Sequence, residues 1–184
     1  MLIARRLIAA AFFAGGALVA TSLPAVATTA TATLTGGTLG FVAAPASTGF
    51  SVSLTGQDVV GTATQTFEVG DATGSGAGWN ITATSTSFTA GTHSLAPTSV
   101  TVQAVPTVAC DSGANCTTAT NGVSYPYTLP AGATAPTATK IFSSAANTGL
   151  GNQTVTVVFQ LATPASTFAG SYGSTWTYTL VSGP

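Results

Sequence analysis

Segment after segment of this chain alternates an apolar residue with a serine, threonine or other polar one. "GWNITATSTSF" sets Trp79, Ile81 and Ala83 against Asn80, Thr82 and Thr84. "QTVTVVFQLAT" repeats the pattern with Val155, Val157, Phe159 and Leu161, "ATQTFEVG" with Phe67 and Val69, and "TSVTVQAV" with Val100 and Val102. "GFSVSLTG" does so with Phe50, Val52 and Leu54. The terminal "YGSTWTYTLVSGP" would line Tyr172, Trp176, Tyr178 and Leu180 along one face of a last strand. Successive side chains of a strand point to opposite faces, so a period of two means strands with one buried face. Thr, Val and aromatic residues suit such half-buried surfaces. Gly, Pro, Asn and Ser punctuate the runs, which predicts an all-β fold, an antiparallel β-sandwich. The middle, from "VPTVACDSGANC" through "PAGATAPTATK", reads as long Pro/Gly-rich loops around one short strand, "VSYPYTL". Pro126 places that strand at an edge.

The first residues bear on compartment. "MLIARR" supplies two arginines, "LIAAAFFAGGALVA" is an apolar run, and "TSLPAVA" brings small residues at Ala25 and Ala27. That order is the order of a secretory signal peptide and predicts cleavage after Ala27, leaving residues 28–184 as a single domain. The apolar run is short for a membrane span, and no second span follows it. An uncleaved anchor is the alternative. The expectation is a secreted protein with no membrane span after cleavage.

Both arginines leave with the leader. Lys140, His93 and four acids (Asp58, Glu68, Asp71, Asp111) remain, and one cation less four carboxylates leaves a formal charge of −3. No basic patch exists to track phosphates, which excludes nucleic acid as a partner and anionic lipid with it. Low charge combined with a 45% hydrophobic composition is the opposite of a disordered chain. The polar surface must be built from Thr, Ser, Asn, Gln and Gly, which hydrogen-bond neutral partners without electrostatic steering.

Cys110 and Cys116 have five residues between them in "CDSGANC". In an exported chain an intramolecular disulfide is the natural reading. Metal binding would need further ligands, and His93 is the only histidine; no metal or cofactor is expected. Catalysis finds little support. "AGTHSLAP" has no nucleophile-elbow form and no carboxylate placed beside it. Asp58, Glu68 and Asp71 lie close enough in sequence to raise a glycosidase pair. Asp71 in "GDATGSG", however, reads as an Asx-turn residue bonding its own loop, and that loop lacks the oxygen density of a calcium site. Lys140 reads as a solvated surface lysine, with an isopeptide bond to an asparagine as the alternative. The expectation is not an enzyme.

"VGDATGSGAGWNITATSTSF" (Val69 to Phe88) resembles the first signature of WxL domains, cell-surface modules of Gram-positive bacteria. In that signature an Asp and a Gly-rich turn precede Gly-Trp-x-Leu and a Thr-rich strand. Asp71, Gly78 and Trp79 fit it, and Ile81 stands in the leucine place. "YGSTWTYTLVSGP" resembles the second signature, Tyr-x-x-Thr-Leu-Thr-Trp-x-Leu: Tyr172, Thr175, Thr177 and Leu180 match, Trp176 occupies the leucine slot and Tyr178 the tryptophan slot. The resemblance spans the chain after the leader. It implies a β-rich domain associated non-covalently with the cell wall, with peptidoglycan, and with partner surface proteins.

Asp71, Trp79, Ile81, Tyr172, Trp176, Tyr178 and Leu180 are therefore the candidate binding or fold-signature residues. Strict alternation favours core burial of the rings over an exposed sugar-stacking platform. No apolar anchor stands near Pro184, and "LPAGA" lacks the form of a covalent sorting signal. The expected function is a secreted, non-catalytic domain held non-covalently at the wall, on peptidoglycan, another wall glycan or a surface protein. The alternative is a self-assembling structural or adhesive subunit.

Overall fold

A computed structural model describes residues 29–184. The leader and its cleavage site after Ala27 lie outside the described residues. Thr29–Leu34 is exposed throughout and forms no strand; the body, Thr35–Pro184, carries every strand. In chain order these are β1 (Leu39–Phe41), β2 (Val59–Asp71), β3 (Trp79–Thr86), β4 (Thr89–Ala90), β5 (His93–Ser94) and β6 (Val100–Val102). They continue with β7 (Thr107–Cys110), β8 (Tyr127–Thr128), β9 (Ala131–Gly132), β10 (Thr139–Ser144), β11 (Gly151–Thr163) and β12 (Trp176–Ser182). Among the described residues no helix forms.

The six-stranded sheet runs β1-β2-β11-β6-β8, with β7 also paired to β11; the four-stranded sheet runs β10-β3-β12, with β9 beside β3. Its spine is the β2–β11 pair, antiparallel and in unbroken register from Val59 opposite Thr163 to Asp71 opposite Gly151. Phe67 and Val69 of β2 and Val155, Val157, Phe159 and Leu161 of β11 turn inward, buried. Trp79, Ile81 and Ala83 of β3 turn inward from the other sheet. Rings lock the two layers: Phe67 meets Tyr178 edge-on at 4.7 Å between centroids, and Phe159 meets Trp176 at 4.8 Å. The expected all-β architecture, antiparallel sheets packed together, is what the alternating residues build. A short hairpin, β4–β5, and the parallel β3–β9 contact complete it.

Three local expectations are corrected. "GFSVSLTG" forms no strand: Phe50 and Val52 are half-buried, yet the segment joins neither sheet. The middle read as loops holds β7 and β9, and β10 begins at its end. β10 hides its period because of a bulge: Lys140 pairs with Thr82 and Phe142 with Ile81, so Ile141 is the extra residue and two consecutive apolar side chains are buried. Tyr172 lies outside the last strand. Thr86 donates to the Thr175 carbonyl, but the next pairing is Gly173 with Thr89, a slip of one residue that ends the ladder before Tyr172. Pro126 does stand beside an edge strand, reduced to Tyr127–Thr128.

Candidate functional site

The structure brings most of the signature residues together in the core. Trp79 is 0% exposed. Its indole Nε1 donates to the Gly149 carbonyl at 2.9 Å and its ring stacks on Phe142 at 5.3 Å. The preceding Gly78 has φ +74°, and a Cβ there would stand 2.5 Å from the Ser144 carbonyl oxygen. Gly-Trp is thus a fitting requirement where β3 starts against the end of β10. Ile81 is buried, and Trp176, Tyr178 and Leu180 are half-buried on the inner face of β12. None of these rings forms an open platform. Burial pushes the Tyr178 phenol above its ordinary pKa, helped by nearby Tyr127, and its hydroxyl has no partner among the described residues. Burial likewise raises Tyr125 to about 12, against the lowering effect of its bond with Asn121. The Tyr125 hydroxyl donates to the bulged Ile141 carbonyl at 2.6 Å.

Asp71 begins a ladder of turns. Its Oδ1 accepts the Thr73 amide at 3.0 Å, the Thr73 hydroxyl accepts the Ser75 amide at 3.3 Å, and the Ser75 hydroxyl accepts the Ala77 amide at 3.2 Å. Each step spans two residues, the Asx and Ser/Thr turn geometry that competes with regular structure. The role is local architecture.

The remaining titratable groups are dispersed. Glu68 is exposed on the outer face of β2 while Asp71 points to its inner side. Asp58 accepts the Ala165 amide at 2.8 Å, and Asp111 accepts the Thr154 hydroxyl at 2.8 Å. His93 stacks on Phe168, centroids 4.1 Å apart, and Lys140 is exposed on β10. Among the described residues no three His, Cys, Asp or Glu side chains gather as metal ligands. Cys110 and Cys116 are disulfide-bonded, Cα atoms 5.7 Å apart. Just beyond, fully buried Gln153 accepts the Ala119 amide at 2.8 Å and donates to the Thr117 carbonyl at 3.3 Å.

Two surface features stand out. The first is the outer face of the six-stranded sheet. Thr62, Thr64 and Thr66 on β2 are exposed; Thr154 and Thr156 on β11 are half-exposed. Register aligns Thr66, Thr156 and Thr107 in one row and Thr62, Gln160, Thr101 and Thr128 in another. Strand geometry spaces such a lattice at about 4.8 Å across and about 6.8 Å along. Glu68 is the one charge on the β2–β11 part of this face.

The second is a cleft of about 620 Å³ at the end of the body where β11 finishes. Phe50, Val52 and Leu54 form one wall, Phe168 and Tyr172 another, and Leu161 and Thr163 of β11 contribute to the lining. Trp176 stands behind it, packed on the lining rings Phe50 and Phe88 at 6.1 and 6.2 Å. Among the described residues no charged one lines it. The Thr163 hydroxyl is buried and without a partner among the described residues. Of the candidate residues only Tyr172 reaches this cleft. Phe88, Thr163 and Phe168 were not legible as a group, because they come from two separate connections and the end of β11; the alternation of Phe50, Val52 and Leu54 was the available signal.

Compared with family models, curated proteins and solved structures, the chain matches none of them.

Proposed function

We propose that the chain is a secreted, non-catalytic WxL-like domain that attaches non-covalently to the Gram-positive cell wall, on peptidoglycan or a partner surface protein. The observation that carries this reading is the threonine face of the six-stranded sheet. Each threonine there offers a hydroxyl and a methyl group, the pairing needed to hydrogen-bond sugar hydroxyls and cover the apolar side of a sugar ring. A repeating, uncharged face suits a repeating neutral polymer, where many weak contacts add up. The two signature stretches support the assignment as fold markers: their rings hold the sheets together and leave contact to the polar faces. The dispersal of Asp58, Glu68, Asp71, Asp111 and His93 among separate structural tasks supports the absence of catalysis.

Co-sedimentation with purified peptidoglycan tests the reading. The mature chain is expected in the pellet. Thr66→Glu combined with Thr156→Lys places an ion pair at directly opposed positions, which a strand pair tolerates. It also raises long side chains out of the contact plane, and retention should fall at least about tenfold with the fold intact. A wild-type chain that stays in the supernatant overturns the proposal.

A further inference from the structure

Two stretches of this protein have the pattern of a strand and no strand partner. At one end of the body is Gly49–Leu54. Its apolar residues alternate, Phe50 and Val52 are half-buried against the cleft, and the chain joins neither sheet. Among the described residues none of its backbone amides or carbonyls is hydrogen-bonded. Preceding β1 is the second stretch, Thr29–Leu34, "TATATL", with Ala30, Ala32 and Leu34 at one parity and threonines at the other. All six residues are exposed, and Leu34 is 90% exposed.

We infer that the Thr29–Leu34 arm of one molecule pairs as a strand with Gly49–Leu54 of a second copy, placing Leu34 in that copy's apolar cleft. An unpaired strand edge is a template for an added strand. The fit is chemical. Among the described residues no charged side chain lines the cleft, and Thr29–Leu34 carries none, so Leu34 enters without desolvating an ion. The Ala, Ala, Leu parity gives two small residues for close approach and one large one for the cleft. The buried Thr163 hydroxyl, unpartnered among the described residues, would gain a hydrogen-bonding group from the incoming chain.

Reach decides between a second copy and the molecule's own arm. Leu39 pairs with Asp71 at one end of β2, while the cleft lies beside Gly61, ten residues away. That is about 34 Å along the strand. Leu34 precedes Leu39 by five residues and extends at most about 18 Å from it. Leu34 therefore cannot reach its own cleft. Arm and cleft are different surfaces, so the contact either repeats head-to-tail or closes by reciprocal exchange into a two-fold pair.

Sedimentation velocity across a concentration series, without wall material, tests this on the mature chain beginning at Thr28. Dimers or larger oligomers whose share grows with concentration are expected. A chain lacking residues 29–34 should remain monomeric with unchanged circular dichroism. Leu34→Asp should weaken association about ten- to hundredfold, from the loss of a buried leucine. A synthetic peptide spanning Thr28–Gly37 should bind the arm-less chain saturably and shift the fluorescence of Trp176, which packs behind the cleft. Monomers at every concentration, oligomers that persist without the arm, or a cleft that takes soluble wall-glycan fragments but not the peptide would each overturn the inference. Wall binding through the threonine face is read separately, so the two proposals fail independently.

Discussion

A single buried ring shows how little of a signature needs to touch a ligand. Trp79 has no exposed surface, one indole hydrogen bond to Gly149 and one stacked neighbour, Phe142. Gly149 itself has φ +83°, and a Cβ there would stand 2.5 Å from the indole nitrogen. Ring and glycine are thus fitted to each other across 70 residues of chain. Trp79→Ala removes the ring and opens a cavity, which costs about 3–5 kcal/mol for an aromatic of this size. A urea titration followed by circular dichroism should register that loss. Peptidoglycan retention per folded molecule should stay at the wild-type level; selective loss of retention with unchanged stability would make Trp79 a contact residue instead.

Strands were legible where one side chain in two had to be buried and the register ran unbroken. β2 and β11 meet both conditions along their shared ladder; β3, buried at most positions and bulged against β10, still showed its apolar residues by alternation. β10 was not legible, because the bulge at Ile141 sets Ile141 and Phe142 side by side as buried neighbours. Gly49–Leu54 errs in the other direction: its pattern is a strand's, but a pattern cannot supply the neighbouring chain that makes a ladder. The candidate site divides the same way. Inward rows could be read from parity, while the cleft, assembled from Phe50, Phe88 and Phe168 on separate connections and Thr163 at the end of β11, depends on tertiary folding. The disulfide was legible from the spacing of its cysteines together with the expected export, and its contribution can be stated at this scale. It closes a loop of about seven residues, whose lost entropy in the unfolded chain amounts to about 2 kcal/mol. β7 remains paired to β11, and Gln153 still holds Thr117 and Ala119. Cys110→Ser with Cys116→Ser should therefore lower the unfolding free energy by about 2 kcal/mol and leave the strand signature in circular dichroism unchanged. Collapse of that signature would show the loop to be a requirement for the fold.

At the scale of the whole molecule the governing fact is the scarcity of charge. Among the described residues Lys140 stands against Asp58, Glu68, Asp71 and Asp111, and three of those acids spend an oxygen on a local hydrogen bond. Such a body has no large field with which to steer toward an anionic polymer, and little repulsion to keep copies apart. On the proposed reading, attachment comes from many short-range contacts between neutral groups, which salt does not screen. Retention on purified peptidoglycan should accordingly be the same at about 0.1 M and about 1 M sodium chloride, across which the Debye length shrinks from about 10 Å to about 3 Å. A soluble competitor of matching sugar chemistry should release the protein at either salt. Release by salt alone would mean that the few acids, or the single lysine, carry the contact, and would refute the neutral-face mechanism.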